Sequence, residues 1–232
     1  MDEQTIQRLN EINRKFYETV SEDFDATRSQ HWLGWKRLLP LLHPPLSVLD
    51  VGCGNGRFGV FLSQHLGKVL RYHGVDNNPA LLERARQSLQ DLDTLLEQRD
   101  IVEHPPETGT YDLVVLFGVL HHIPGAERRL ALMKTLAERL TPDGLLVFTC
   151  WRFYEYPRFR ERIVLMPDDL KVESGDYLLD WRRGSTALRY CHYVDDDELQ
   201  QLIDASDLRP ILQYRADGHG DDMNLYVVLK AE

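Results

Sequence analysis

The stretch VLDVGCGNGRFG, from Val48 to Gly59, places four glycines and one acid directly behind a short apolar run. This order predicts a buried strand, a tight turn and the start of a helix, an arrangement that holds nucleotide-like ligands in many α/β proteins. Glycines at alternate positions cost chain entropy without adding packing contacts. The pattern therefore indicates a ligand-binding loop rather than a plain turn.

Two ligand classes fit this loop. Residues 54–59, GNGRFG, match the GxGxxG pattern of dinucleotide sites, which is weak evidence when it stands alone. Residues 50–56, DVGCGNG, match the DxGxGxG pattern of loops that hold S-adenosylmethionine (SAM). Asp50 ends the predicted strand, where its carboxylate would repel a pyrophosphate but attract the ammonium of a methionine moiety. The charge therefore favours SAM.

The composition is that of a protein with an ordinary core and a strongly acidic surface. The chain has 232 residues, of which 43% are hydrophobic, and a net charge of −10, which makes it a poor non-specific nucleic-acid binder. We find no apolar run long enough to span a membrane, and the charged residues 1–20 lack the apolar core of a signal sequence, so we expect no export. The three cysteines form no CxxC pair, which predicts a cytoplasmic protein without a metal site.

Strand and helix patterns alternate from Leu46 onward, which predicts a doubly wound parallel sheet. Residues 3–20 have the apolar spacing of an amphipathic helix, and LGWKRLLPLL (33–42) is predicted to form a second helix. Residues 152–193 are predicted to be irregular. Two strands, 208–215 and 223–230, are predicted to close the chain as an antiparallel pair.

We predict a single domain over residues 1–232, divided into four parts. Residues 1–45 form an N-terminal helical lid, and residues 46–150 form the cofactor-binding core. Residues 151–193 are a substrate-side insertion, and residues 194–232 supply a helix and the final strand pair. Ligands of such sheets bind at the carboxyl ends of the strands.

Three strand ends carry side chains suited to an adenosine-containing ligand. Asp76, followed by Asn77, ends the second strand, where an acid accepts hydrogen bonds from ribose hydroxyls. Asp100, followed by Ile101, ends the third strand and could either accept the adenine amino group or only cap a turn. Phe117 follows the fourth strand and should line the cleft opposite the glycine loop.

Four motifs together make the chain resemble the class I SAM-dependent methyltransferases: VLDVGCGNG, GVDNNPALLERAR, YDLVVLFGVLHHI and LTPDGLLVFT. The resemblance covers about residues 46–150 and implies a Rossmann-like, seven-stranded sheet with an antiparallel last strand. It implies SAM as the cofactor. The residues that it assigns to the cofactor pocket are Asp50, Gly52, Gly54, Gly56, Asp76, Asp100, Ile101 and Phe117, and we add the adjoining Cys53 and Asn77 to the predicted cofactor site.

A narrower resemblance extends outside that core. FYETVSEDFDATRSQHW (16–32), GDYLLDW (175–181), RYCHYV (189–194) and DDMNLYVVLK (221–230) resemble segments of the tRNA wobble-uridine carboxymethyl methyltransferases. This resemblance implies methyl esterification of a carboxymethyl group on a modified tRNA uridine. It also implies a small zinc-binding activator subunit as a partner.

The acceptor decides which catalytic residues are needed. A carboxylate is already a nucleophile, and an arginine can orient it, so Arg28 and Arg189 are the candidates. Either arginine could instead bind the carboxylate of SAM or form a surface ion pair. A hydroxyl or amine acceptor would need a base, for which we consider His121 or His122, and select His122 as the candidate.

Residues 151–190 contain eight Lys or Arg and seven acids, a net charge of +1 that could present a basic face to RNA. A plain solvated surface is the favoured interpretation of this segment. Two other functions stay open, a methyltransferase of a small metabolite and a non-catalytic SAM-binding subunit. A dehydrogenase does not fit Asp50 and lacks a recognisable hydride-transfer group.

Overall fold

The computed structural model describes residues 1–26, 31–67, 71–183 and 185–231. The main helices are α1 (Glu3–Ala26), α2 (Arg57–Leu66), α3 (Pro79–Ser88), α4 (Ala126–Ala137), α5 (Pro157–Arg160) and α6 (Asp196–Ser206). The strands are β1 (Ser47–Val51), β2 (Arg71–Asp76), β3 (Thr94–Gln98), β4 (Tyr111–Leu116), β5 (Leu140–Trp151), β6 (Ile163–Val164), β7 (Asp176–Arg183), β8 (Ser185–His192), β9 (Arg209–Ala216) and β10 (Asn224–Lys230).

Seven of these strands form one sheet in the order β3-β2-β1-β4-β5-β10-β9. Strands β1 to β5 are parallel, and β10 runs antiparallel to both of its neighbours. In the centre, Val48 of β1 lies between Tyr72 of β2 and Leu113 of β4. The predicted doubly wound seven-stranded sheet, with an antiparallel pair at its end, is confirmed.

The central strands are apolar on both faces because helices cover both faces. Leu49 and Val114 pack into the layer that contains α4 and α6. Val48 and Leu113 pack into the opposite layer with α2 and α3. Consecutive residues of one strand thus enter opposite cores, and the carboxyl ends of β1, β2 and β4 are left at one edge of the sheet.

The prediction that residues 152–193 are irregular is wrong. Strands β6, β7 and β8 form a separate antiparallel sheet, in which Leu178 pairs with Tyr190. Both of these residues are buried against Leu9 of α1. The sheet is stabilised by packing against α1, which is distant in the sequence. The residue pattern within 152–193 alone cannot predict this long-range contact.

The predicted second helix over residues 33–42 is also corrected, since the structure has two short 3₁₀ turns, Leu33–Arg37 and Leu39–Leu41. Pro40 has no N–H to donate inside a helix. Gly34 donates from its backbone N to Asp217 Oδ1 at 3.0 Å and accepts from the Tyr214 hydroxyl at 2.7 Å. These long-range contacts fix the local backbone. Helix α1, by contrast, extends beyond its predicted end at residue 20.

Within the described ranges, none of the helices has the length and apolar character that crossing a membrane requires.

Candidate active site

One cavity opens at the carboxyl edge of the main sheet. It lies where β1, β2 and β4 end, and helix α1 borders it from the other side. Nine of the residues predicted to form the site line it: Gly52, Cys53, Gly54, Asp76, Asn77, Asp100, Ile101, Phe117 and His122. The structure therefore brings together residues that are up to seventy positions apart in the chain.

The glycine loop forms the floor of this cavity. Gly52 has a φ of +76°, and a Cβ at this position would lie 2.2 Å from Val119 Cγ2, so only glycine fits. Gly54 has a φ of +55°, and a Cβ there would meet no atom within 4 Å. Because Gly54 also lines the cavity, a side chain at this position would occupy space that a ligand can use. The loop thus has the shape of a cradle for a closely held ligand.

Asp76 is held rigidly at the end of β2. Its Oδ1 accepts a hydrogen bond from the backbone N of Asn78, and its Oδ2 accepts one from the backbone N of Gly54, both at 2.9 Å. Burial raises the pKa of this carboxyl, and the N–H donors act in the opposite direction. A carboxylate has about four acceptor positions, so Asp76 retains capacity for ligand hydroxyls.

Asp100 caps a turn and also lines the cavity. Its Oδ1 accepts from the backbone N of Val102 at 3.0 Å, so it does cap a turn. It also lines the cavity, where its Oδ2 accepts from Asn10 Nδ2 of α1 at 2.9 Å. A contact of Asp100 with an adenine amino group stays a prediction.

Asp50 and Gly56 are the two predicted loop residues that do not line the cavity. The Asp50 side chain is 3% exposed and accepts a short hydrogen bond from the Tyr72 hydroxyl. Burial raises the pKa of Asp50 to about 7. Gly56, with a φ of +79°, is the residue before α2, and a Cβ at this position would lie 2.8 Å from Leu89 Cδ1. Asp50 therefore does not contact the cavity directly, and any influence on a ligand has to pass through the loop residues that follow it.

His122 lies at the cavity wall and is hydrogen-bonded through both ring nitrogens. Its Nε2 is 2.8 Å from the Tyr17 hydroxyl, and its Nδ1 is 3.0 Å from the carbonyl oxygen of Tyr190. If Nδ1 carries the proton and donates it to that carbonyl, Nε2 accepts from Tyr17. The His122–Tyr17 pair then forms a polar relay beside the cavity.

Arg189 lies behind this wall, outside the set of residues that line the cavity. Its guanidinium carbon is 4.6 Å from the Trp151 ring and 5.3 Å from the Phe16 ring. The residue is 9% exposed, and its Nε is buried without a hydrogen-bond partner. No carboxylate of the described residues pairs with it. Arg28, the other candidate cation, lies outside the described residues.

Sequence reasoning missed two polar residues of α1 that line the cavity. Asn10 and Asn13 are buried and line the cavity together with Tyr17. These three residues recur at intervals of three and four, beside the apolar stripe that predicted the helix. The sequence signal that could have identified them is a pair of asparagines at helical spacing beside that apolar stripe. Arg57, the first residue of α2, also lines the cavity and was not predicted.

One group of potential metal ligands occurs in the described residues. Donor atoms of His121, His122 and Cys191 lie within 4.8 Å of one another. Burial raises the pKa of the Cys191 thiol to about 11, although the neighbouring Arg189 acts to lower it. A protonated thiol beside a guanidinium cation disfavours binding of a further cation.

Comparison with known proteins agrees with this geometry. The sequence profile of a methyltransferase domain family matches residues 24–213, and the chain belongs to this family. The predicted class of SAM-dependent methyltransferase is confirmed. The fold is shared with a SAM-dependent methyltransferase of Methanosarcina mazei, at a TM-score of 0.68 and 15% identity over 84% of this chain and 96% of that one.

Three proteins with similar sequences are named as methyltransferases. A candidate methyltransferase of Encephalitozoon cuniculi is 29% identical over 93% of both chains. A tRNA (carboxymethyluridine(34)-5-O)-methyltransferase of Macaca fascicularis is 28% identical over 65% of this chain and 21% of its own length. The Saccharomyces cerevisiae protein of the same name is 26% identical over 64% of this chain and 50% of its own length. This chain thus corresponds to half or less of the two tRNA-modifying relatives.

Proposed function

We propose that the protein binds SAM in the cavity above the glycine loop and methylates a carboxylate on a modified uridine of tRNA. The open cradle at Gly54 and the spare acceptor capacity of Asp76 support the cofactor half of this proposal. The proposed lid role of residues 1–45 is supported by α1, whose Asn10, Asn13 and Tyr17 line the cavity.

The observation that carries the acceptor half is Arg189. Among the described residues Arg189 has no counter-ion, which is costly for a buried cation, and an anionic acceptor would supply a negative charge. A guanidinium held between two rings is also preorganised for bidentate contact with a carboxylate. The tRNA-modifying names of two relatives point to the same chemical class of acceptor.

The roles of the residues follow from the chemistry of methyl transfer. SAM, when bound, supplies a methyl group on a positively charged sulfur, and its leaving group is neutral. A carboxylate acceptor needs no general base, so the protein has to position it and exclude water. We assign positioning to Arg189 and exclusion of water to Trp151, Phe16 and Tyr17, which surround this part of the fold.

A small metabolite is the alternative acceptor, and the His122–Tyr17 pair is the observation that favours it. This pair could take a proton from a hydroxyl or amine acceptor, a role that a carboxylate does not require. The net charge of −10 also fits a small substrate better than a nucleic acid.

The deciding experiment is methyl transfer from labelled SAM to bulk tRNA and, separately, to a metabolite extract. A methyl ester on tRNA releases its label as methanol in mild alkali, whereas a methylated nitrogen or ether oxygen keeps it. Alkali-labile label on tRNA supports the proposal. Label only in the metabolite fraction would establish the alternative, and binding of adenosylhomocysteine without any transfer would favour a non-catalytic subunit.

Arg189→Gln provides the residue-level test. It should lower transfer to the carboxylate at least tenfold while leaving the affinity for adenosylhomocysteine unchanged. Arg37→Gln is the matched control, because this guanidinium lies over the Tyr214 ring at 4.2 Å, among different partners. Loss of cofactor affinity in Arg189→Gln would reassign this residue to the cofactor.

Two further parts of the proposal concern the setting of the reaction. The activator subunit implied by the resemblance is retained as a proposed partner, and transfer that depends on added cell extract would support it. The proposed compartment is the cytoplasm, supported by three free, buried cysteines.

A further inference from the structure

A cluster of arginines and aromatic rings lies at the surface between β5 and β6. We call it the arginine–tyrosine face and define it as Tyr154, Tyr156, Arg158, Phe159 and Arg160. Tyr154 is 38% exposed, and both arginines are exposed. An exposed aromatic ring beside cations is the combination that binds single-stranded nucleic acid.

The two arginines of this face contact rings and neutral acceptors rather than acids; Arg160 donates to the carbonyl oxygen of Tyr154 at 2.7 Å, and Arg158 lies 3.9 Å from Met223 Sδ. The guanidinium carbon of Arg158 lies 4.8 Å from the Phe159 ring, and that of Arg160 lies 6.0 Å from the Tyr154 ring. Within the described ranges, neither of them has a carboxylate partner. Nine of the other arginines whose side chains the structure describes do pair with acids, as Arg99 pairs with Glu97 at 2.6 Å. The positive charge of the face is therefore available to a ligand.

Two of the acidic side chains nearby are already engaged. Glu155 forms an ion pair with Arg215 at 2.7 Å, and Asp222 accepts a hydrogen bond from the Tyr156 hydroxyl at 2.6 Å. The ring of Tyr154 is fixed by stacking on Tyr177, with centroids 4.9 Å apart and planes 23° apart. A fixed, partly exposed ring next to guanidinium groups without carboxylate partners among the described residues can stack with a planar base while the cations contact phosphates of the same strand.

The face is connected to the cavity by a continuous series of ring contacts. His122, at the cavity wall, has its ring centroid 4.1 Å from that of His121, which lies 5.2 Å from Trp151. Trp151 in turn lies 4.9 Å from Phe159 of the face. Trp151 ends β5, which runs parallel to β4, so the face emerges at the same edge of the sheet as the cavity.

We propose that the arginine–tyrosine face binds the single-stranded segment of RNA that carries the methyl acceptor. This inference rests on the proposed function and adds where the RNA lies. Cationic groups without acid partners complement phosphates, and unpaired bases can stack on the exposed ring of Tyr154. The sequence alone favoured a plain solvated surface for residues 151–190. For the residues of the arginine–tyrosine face, RNA binding replaces that interpretation.

The test is binding of the full chain to a fluorescent, unmodified twelve-nucleotide RNA strand, measured by anisotropy at several salt concentrations. Arg158→Gln with Arg160→Gln should weaken binding about tenfold and make the dependence on salt shallower. Tyr154→Ala should also weaken binding about tenfold, whereas Tyr154→Phe, which keeps the ring, should bind like the wild type.

A matched control removes the same charge from the opposite edge. Arg71 and Arg209 are exposed first residues of β2 and β9, which run parallel to β5, so they lie at the amino ends of these strands. Arg71→Gln with Arg209→Gln should leave RNA affinity nearly unchanged. An equal loss in both double variants would overturn the proposal, because binding would then depend on net charge alone.

Two further results would also overturn it. One is equal affinity for the strand and for a duplex of the same sequence, since paired bases cannot stack on Tyr154. The other is no RNA binding at low salt. Failure of the proposed function would look different: no methyl group would reach tRNA, yet the variants would still separate in the binding assay.

Discussion

At the scale of single residues, two aspartates that end neighbouring strands have different environments. Asp76 faces the cavity and accepts two backbone hydrogen bonds, whereas Asp50 is buried behind the loop and bonded to Tyr72. We expect Asp76→Ala to weaken binding of adenosylhomocysteine by about ten- to a hundredfold, because bonds to a charged group contribute roughly 1.5–3 kcal/mol. Calorimetric titration measures this loss.

Asp76→Asn is the matched variant for that experiment. An amide keeps the size and one acceptor oxygen, so its loss of affinity should be smaller than that of Asp76→Ala. Thermal unfolding of both variants separates a binding effect from a folding effect. Wild-type affinity in a folded Asp76→Ala variant would show that this residue does not contact the ligand.

Asp50 leads to a prediction about pH at the same scale. Burial raises its pKa to about 7, so the folded state favours the protonated form. The corresponding stability is complete below the unfolded pKa of about 4 and is lost as the pH rises toward 7. In urea unfolding, Asp50→Asn should therefore lose less stability than the wild type between pH 4 and pH 7. The exposed Asp91→Asn should keep the wild-type profile, and an unchanged profile in Asp50→Asn would contradict this account.

At the scale of elements, Asn13 hydrogen-bonds α1 to the active-site edge, beside the apolar contacts of Leu9 and Phe16. Asn13 Oδ1 accepts from the backbone N of Tyr190 at 2.9 Å, and its Nδ2 lies 3.2 Å from His122 Nδ1. Asn13→Ala leaves that buried N–H without an acceptor, which costs about 1–3 kcal/mol. We expect faster amide hydrogen exchange across α1 and weaker binding of adenosylhomocysteine.

The choice of alanine makes this result informative. Alanine has a higher helix propensity than asparagine, so lost protection cannot come from a weaker helix and must come from weaker docking. Arg8→Ala is the control, because Arg8 is on α1 but forms an exposed ion pair with Asp169. Equal exchange in both variants would contradict the assigned role of Asn13.

The elements also show how much of this molecule could be predicted from its sequence. The alternation from Leu46 onward predicted the main sheet, and the strand-end acids predicted most of the cavity, because both patterns are local. The second sheet was missed because Leu178 and Tyr190 pack under α1, a contact between distant segments. Asn10 and Asn13 were missed for the same reason, since only the docking of α1 turns them toward the cavity.

At the scale of the whole molecule, a buried charged network joins the second sheet to the helices of the first. His192 Nδ1 is 2.7 Å from Asp176 of β7, and its Nε2 is 2.5 Å from Glu198 of α6. Arg129 of α4, which is 1% exposed, contacts both Glu198 and Glu173. The two carboxylates raise the pKa of His192 despite its burial and the opposing charge of Arg129. His192 and Arg129 in turn lower the pKa of Glu198, again against burial.

These opposite shifts predict a stability maximum between two pH limits. A raised histidine pKa contributes stability that is complete below the unfolded-state pKa of about 6.5. This stability is lost as the pH rises through the pKa of the folded state. A lowered glutamate pKa gives stability that is present above about 4.3 and is lost as the pH falls through the folded pKa. Urea unfolding should therefore show that His192→Gln removes the loss of stability above pH 6.5.

The pH range distinguishes His192 from Asp50. The stability that depends on His192 is lost above pH 6.5, whereas the loss that depends on Asp50 is nearly complete near pH 7. The two groups share none of the partners named above, so their effects should add in the double variant. His31→Gln is the control, because His31 pairs with the exposed Gln64 on another face. A wild-type profile above pH 6.5 in His192→Gln would mean that the network joins the two sheets without a protonated histidine.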